Sequence, residues 1–190
     1  MQSLTTFTFD TSRILRGTLS SPGAEYTTNT VQAGSSRRST SLEGSPGLPD
    51  AVIDWKKNTF TISGSTRVVR DLRKKRAAFS SSRYWTWFDC EEYRVKYESE
   101  LDHTWTVFSY SGTVLATFTS NIHRVFHENL LPVLCMSSTV RDEEERQFII
   151  LVLLYSETKR LESLKERPLA AIRPLAAIGN FLDGLPLPNS

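Results

Sequence analysis

The chain has 190 residues, a formal net charge of +2, 39% hydrophobic and 11% aromatic residues, a length and composition suited to one domain with a core large enough to stand alone. The charge is too small to argue by itself for a nucleic-acid partner, and no apolar run approaches the ~18 residues of a transmembrane helix. Met1 to Asp10 has neither the basic start nor the apolar stretch of a signal peptide, and two cysteines, Cys90 and Cys135, read as reduced thiols of a cytoplasmic protein rather than a disulfide framework.

Phe7 and Phe9 alternate with threonines in the first run, residues 4–9, which is the periodicity of a strand. Ser21-Pro22-Gly23 marks a turn, and residues 25–32 read as the next strand. Composition then shifts. Ala33-Gly34-Ser35-Ser36 and Gly44-Ser45-Pro46-Gly47-Leu48-Pro49 are loop chemistry. Residues 33–50 are therefore expected to form a flexible, exposed loop, with room for a short strand over 37–42. Within it, Arg37-Arg38-Ser39-Thr40 suits a basophilic kinase.

Strand patterns resume over 51–55, 59–62, 66–69 and 84–88. A further run puts Tyr93, Val95 and Tyr97 on one face, and 104–110 and 114–119 flank a Ser111-Gly112 hairpin turn. Turn signals every 8–12 residues or so predict a sheet or barrel, not alternating β/α units.

The pattern changes at Phe148, Ile149, Ile150, Leu151, Val152, Leu153, Leu154 and Tyr155, which are apolar without interruption. The flanks predict a helix over 143–161. Asp142 and Glu145 have capping-box spacing, Glu143 to Glu145 complement the N-terminal dipole, and Lys159, Arg160 and Lys165 complement the other end. Pro168 stops it. Two turns apolar on every side require burial on every side, which an enclosing sheet provides. The expectation is a mainly β domain over residues 1–164 with one central apolar helix. Residues 165–190 are expected to be a weakly ordered tail in which Arg167-Pro168-Leu169-Ala170-Ala171-Ile172 repeats as Arg173 to Ile178.

The order of these elements resembles the tubby C-terminal-like barrels, which include the LURP-one-related proteins and the phospholipid scramblases. It is most similar to an uncharacterised fungal family, a domain of unknown function in that barrel group. The resemblance is carried by Phe7-Thr8-Phe9-Asp10, Tyr26 to Thr30, Ala51-Val52-Ile53-Asp54-Trp55, Ser82-Arg83-Tyr84-Trp85-Thr86, Phe88 to Val95, and Tyr155-Ser156-Glu157, and covers about residues 4–162. The chain departs from the pattern after Asp89, where Cys90-Glu91 stands in place of a turn glycine. The resemblance implies an antiparallel β-barrel around an apolar C-terminal helix, and a binding protein in place of an enzyme.

One charge feature stands out. Arg67, Arg70, Arg73, Lys74, Lys75 and Arg76 face only Asp71 within ten residues, and Arg83 follows. Residues 51–100 hold eleven basic and seven acidic residues, whereas 101–150 hold three and six. Such a cluster attracts anionic lipid headgroups, and the resemblance implies the same, since tubby barrels bind phosphoinositides through a basic surface. A solvated turn is the plainer reading; Lys74-Lys75-Arg76 also leaves nuclear localisation open. Trp85 and Trp87 are assigned to the core, so an aromatic platform for nucleic acid is not expected. His123 and His127, four apart, are read as ordinary histidines without metal. Cys90 lies between Asp89 and Glu91, carboxylates that disfavour a thiolate. No phosphate-cradling glycine loop or nucleophile elbow occurs, so neither catalysis nor a cofactor is expected. The function expected is peripheral binding of anionic phospholipid by a cytoplasmic module. The alternative is a protein-interaction domain using the serine-rich loop or the tail.

Overall fold

A computed structural model describes residues 3–34, 36–44, 50–76, 81–88, 91–99, 103–120 and 130–166. By contact density the chain divides into residues 1–157 and 158–190. The first unit holds thirteen strands among the described residues. They are β1 (Leu4–Phe9), β2 (Gly17–Ser21), β3 (Ala24–Ala33), β4 (Ser36–Glu43), β5 (Ala51–Asp54), β6 (Thr59–Ile62) and β7 (Ser65–Val68), then, after the one-turn helix α1 (Val69–Leu72), β8 (Arg73–Lys74), β9 (Arg83–Thr86), β10 (Glu92–Ser99), β11 (Thr104–Phe108), β12 (Val114–Thr119) and β13 (Val133–Ser137). The second helix, α2 (Glu143–Lys165), starts in the first unit, and its last turns are the described part of the second.

All thirteen strands form one antiparallel sheet in the order β7-β6-β5-β4-β3-β2-β1-β13-β12-β11-β10-β9-β8. Each strand pairs with its neighbour in sequence except at one place. The first strand pairs with the last, from Leu4 opposite Ser137 to Thr8 opposite Val133, and the break falls between β7 and β8. The sheet is therefore not closed by hydrogen bonds. Its two edges are consecutive in the chain, only α1 apart, and the gap between them is a seam.

Side chains bridge that seam. Phe60 of β6 stacks on Trp85 of β9, with centroids 5.9 Å apart and planes 2° from parallel. The Arg67 guanidinium of β7 lies 5.2 Å from the ring of Trp87, just beyond β9. Val69 and Leu72 of α1, the link between the two edge strands, are buried in the core, and the Val69 amide donates to the Asn58 carbonyl.

The alternating residues of the strands, Phe7 and Phe9, Ile53, Phe60 and Ile62, Tyr93 and Val95, all point into one core. The centre of that core is α2. Every residue from Phe148 to Tyr155 is at most 3% exposed, as a helix apolar on all sides requires. Polar tips anchor it around the sheet. Tyr26 Oη donates to Glu143, Tyr93 Oη to Glu145, Tyr155 Oη to Asn58 Oδ1, and Trp105 Nε1 to Glu157 Oε2.

The expected loop is corrected in part. The short strand allowed for over 37–42 is present and longer, since residues 36–43 form the inner strand β4, paired with β3 on one side and β5 on the other. Thr40 and Leu42 supply the reason, because both point inward and are fully buried. Residues 35 and 45–49 of the expected loop lie outside the described residues, as does the duplicated tail beyond Glu166. The kinase reading falls with the loop. Ser39 is paired opposite both Val31 and Asp54, and the Thr40 hydroxyl lies 2.7 Å from the Thr30 hydroxyl and accepts from Trp55 Nε1.

Candidate anion-contact site at the sheet seam

Seven cations were marked by the sequence, and the structure brings them to the seam but not to one face. Six of them, Arg67, Arg70, Arg73, Lys74, Lys75 and Arg76, are exposed, and Arg83 is half-buried. Strand alternation divides them. Arg67 is opposite the buried Phe60, and Arg73 opposite the buried Trp85. Both therefore start on the core side of the sheet and reach solvent along aromatic rings, in the manner of long basic side chains that keep their stems on apolar surface. Arg67 does so over Trp87. Arg73 does so 5.9 Å from the Trp85 centroid and 6.0 Å from that of Tyr155.

Arg83 is on the same side, opposite the buried Val95. Burial and then the neighbouring positive charge of Arg73 lower its pKa, so these two guanidinium groups feel each other. Arg37, not marked by the sequence, stands 5.2 Å from the Trp55 ring, which stacks on Tyr155. Burial lowers its pKa as well. The rim around Tyr155 is thus aromatic beneath and cationic above, with Tyr155 itself raised in pKa by burial.

On the outer side Lys74 is opposite Tyr84, and the Arg76 guanidinium lies 4.3 Å from the Tyr84 ring. Ion pairs with carboxylates hold two residues of the run from Arg67 to Arg76 among the described residues. Arg76 pairs with Glu92, and Arg70 with its neighbour Asp71. Arg67, Arg73, Lys74 and Lys75 have no ion pair among the described residues. A second cationic residue beyond the run, Arg94 of β10, was not singled out by the sequence. Only register identifies it, because it is Tyr84 that stands opposite Arg94.

Elsewhere, a surface cleft of about 350 Å³ lies beside β1, the turn at Pro22-Gly23 and the start of α2, with Arg141 and Arg146 in its wall. Arg146 is already engaged by Glu143, Tyr26 Oη and the Val140 carbonyl. No group of three or more metal-ligating side chains occurs among the described residues, and none of their helices is long and apolar enough to cross a membrane. Cys90, His123 and His127 lie outside those residues. No protein-family model, curated protein or solved structure matches the chain.

Proposed function

We propose that this chain is a non-catalytic binding module that attaches peripherally to anionic phospholipid surfaces through the cations of its sheet seam. The observation that carries the reading is the exposure of all six basic residues between Arg67 and Arg76 within a stretch of ten. The arrangement of a thirteen-stranded antiparallel sheet about an apolar C-terminal helix supports the resemblance to tubby-like barrels, as does the approach of its two edges. A lipid partner is the one that this resemblance favours.

The magnitude follows from the pairing. A surface cation contributes ~1 kcal/mol toward an anionic membrane, and ion-paired ones contribute less. The four cations without an ion pair among the described residues are divided between two faces, so about 4 kcal/mol is an upper bound and the affinity is no tighter than the millimolar range. Binding is therefore weak, reversible and sensitive to salt, since the Debye length falls from about 30 Å at 0.01 M to about 8 Å at physiological ionic strength.

Vesicle co-sedimentation tests the reading. The full chain is expected to pellet with phosphatidylserine vesicles at low salt and not with phosphatidylcholine vesicles. Replacing Arg73, Lys74 and Lys75 together by glutamate abolishes the pelleting. Equal binding to both vesicle types, or no loss on charge reversal, would overturn it.

A further inference from the structure

We infer that the outer face of β8 to β12 is a membrane-contact surface, with Tyr110 as its interfacial anchor. The inference rests on the anionic-lipid reading and says which face makes the contact.

Four ladders place five residues in one cross-strand row. Lys74 of β8 is opposite Tyr84, Tyr84 opposite Arg94, Arg94 opposite Phe108, and Phe108, across a shift in register after Val107, opposite Val114. At ~4.8 Å per strand, the row crosses about 19 Å of sheet. It alternates cation, ring, cation, ring and ends on an aliphatic side chain. The Arg76 guanidinium lies over Tyr84, and the Arg94 guanidinium stands 4.2 Å from the Phe108 ring. The next residue along three of these strands, Trp85, Val95 and Val107, is buried on the opposite face. The rings of the row are therefore additional to the core.

Beyond Phe108 the chain makes a tied turn. The Ser109 amide donates to the Thr113 carbonyl, and the Gly112 amide to the Ser109 carbonyl. The Thr113 amide donates to Ser109 Oγ, and Ser109 Oγ lies 2.8 Å from Ser111 Oγ. Gly112 takes φ +85°, a conformation that costs other residues. This turn leaves Tyr110 84% exposed, and Val114, at the start of β12 just after it, is 38% exposed. A tyrosine held out by a stiff turn loses little entropy on contact.

Charge and shape agree on the partner. Lys74, Arg76, Arg94 and Lys96 against Glu92 and Glu98 leave the surface cationic, and a phenol at its margin suits the headgroup level of a bilayer, where one end of the side chain is apolar and the other wet. A single-stranded nucleic acid needs bare ring faces on which bases stack. Here guanidinium groups lie over Tyr84 and Phe108, so the membrane is favoured.

The test is Tyr110→Trp in the full chain, mixed with phosphatidylserine vesicles containing brominated lipid. Native Trp85, Trp87 and Trp105 are buried and Trp55 is half-buried, so quenching beyond that of the unmodified chain reports on the introduced side chain. Expected are such quenching and an about fivefold weaker binding of Arg94→Gln, the share of one interfacial cation. Vesicle binding without added quenching, together with full binding by Arg94→Gln and Tyr110→Ser, overturns this inference and leaves the lipid reading standing. Failure of the unmodified chain to bind any anionic vesicle overturns both. Binding of oligothymidylate in place of vesicles, lost on Arg94→Gln, assigns the face to nucleic acid and overturns the inference.

Discussion

Tyr93 offers a single proton to two carboxylates, Glu91 Oε2 at 2.6 Å and Glu145 Oε1 at 3.0 Å. Burial raises the pKa of Glu145, and the charges of Glu91 and Asp142 raise it further against the opposing hydrogen bond from Tyr93 and the charge of Arg146. Tyr93 is likewise held far above the usual phenol range, by burial first and then by its bond to Glu91. The sign for stability follows. A carboxyl whose folded pKa exceeds its unfolded value binds its proton more tightly when folded. Its contribution is present at low pH and is lost as pH rises through the folded value. Glu145→Gln keeps an acceptor for Tyr93 and removes the charge. It is expected to raise the melting temperature at pH 7 to 8, and the gain should shrink as pH falls into the carboxyl range. Thermal melts across pH check this, and a gain that grows on acidification contradicts it. At the same scale Tyr26, pushed up to about 12 mainly by burial, stays protonated and donates to Glu143 throughout that range. The sequence marked Glu143 to Glu145 as charges suited to a helix start, and Glu145 also by its capping-box spacing from Asp142. That Glu145 sits under a tyrosine of β10 is decided by tertiary packing, which local spacing does not encode.

The elements were unevenly legible. Strands with two or more inward apolar residues, such as β1, β6 and β10, announce themselves by alternation, and α2 by its charged flanks. Strand β2 has one inward apolar residue, Leu19, and β8 is two basic residues long, so neither presents a period to read. β13 is a short apolar run without clear alternation, and α1 is one turn. The cations of the candidate site were legible as composition, but their distribution over two faces depends on the register of β7 and β8 and on α1 between them. The seam itself is a prediction at this scale. If the Phe60–Trp85 stack joins the edges, a double-mutant cycle with Phe60→Leu and Trp85→Leu should give a coupling of about 0.5–1.5 kcal/mol, the range for aromatic pairs beyond area burial. Denaturant titration measures it, and additive losses would show that the edges do not depend on this pair. One buried group in the stack is unsatisfied among the described residues, since Trp85 Nε1 has no hydrogen-bond partner there; nothing in the structure explains it.

For the first unit as a whole, the order of strands is a circuit that follows the chain and returns to its start. The ladder completing it joins residues more than a hundred positions apart, Leu4 with Ser137, whereas every other ladder is between strands consecutive in sequence. Loop closure over that distance is slow to be rewarded, so β1 and β13 are expected to pair late. Leu134, buried opposite Phe7, tests it. Leu134→Ala should cost about 2–5 kcal/mol and express nearly all of it as faster unfolding, with little change in refolding rate. Stopped-flow chevrons separate the two arms, and a refolding rate lowered in proportion to the stability loss would place this ladder in the folding nucleus.

The seam has one more consequence, for behaviour in concentrated solution. An open sheet ordinarily offers two unpaired margins on which further copies can add strand to strand, and such growth ends in insoluble material. Here the margins, four and two residues long, stand on either side of the same gap, with charged Arg67 on one, Arg73 and Lys74 on the other, and α1 set between them. A second copy reaching for either margin meets like charge and too short a template, so crowding alone does not extend the sheet from one molecule into the next.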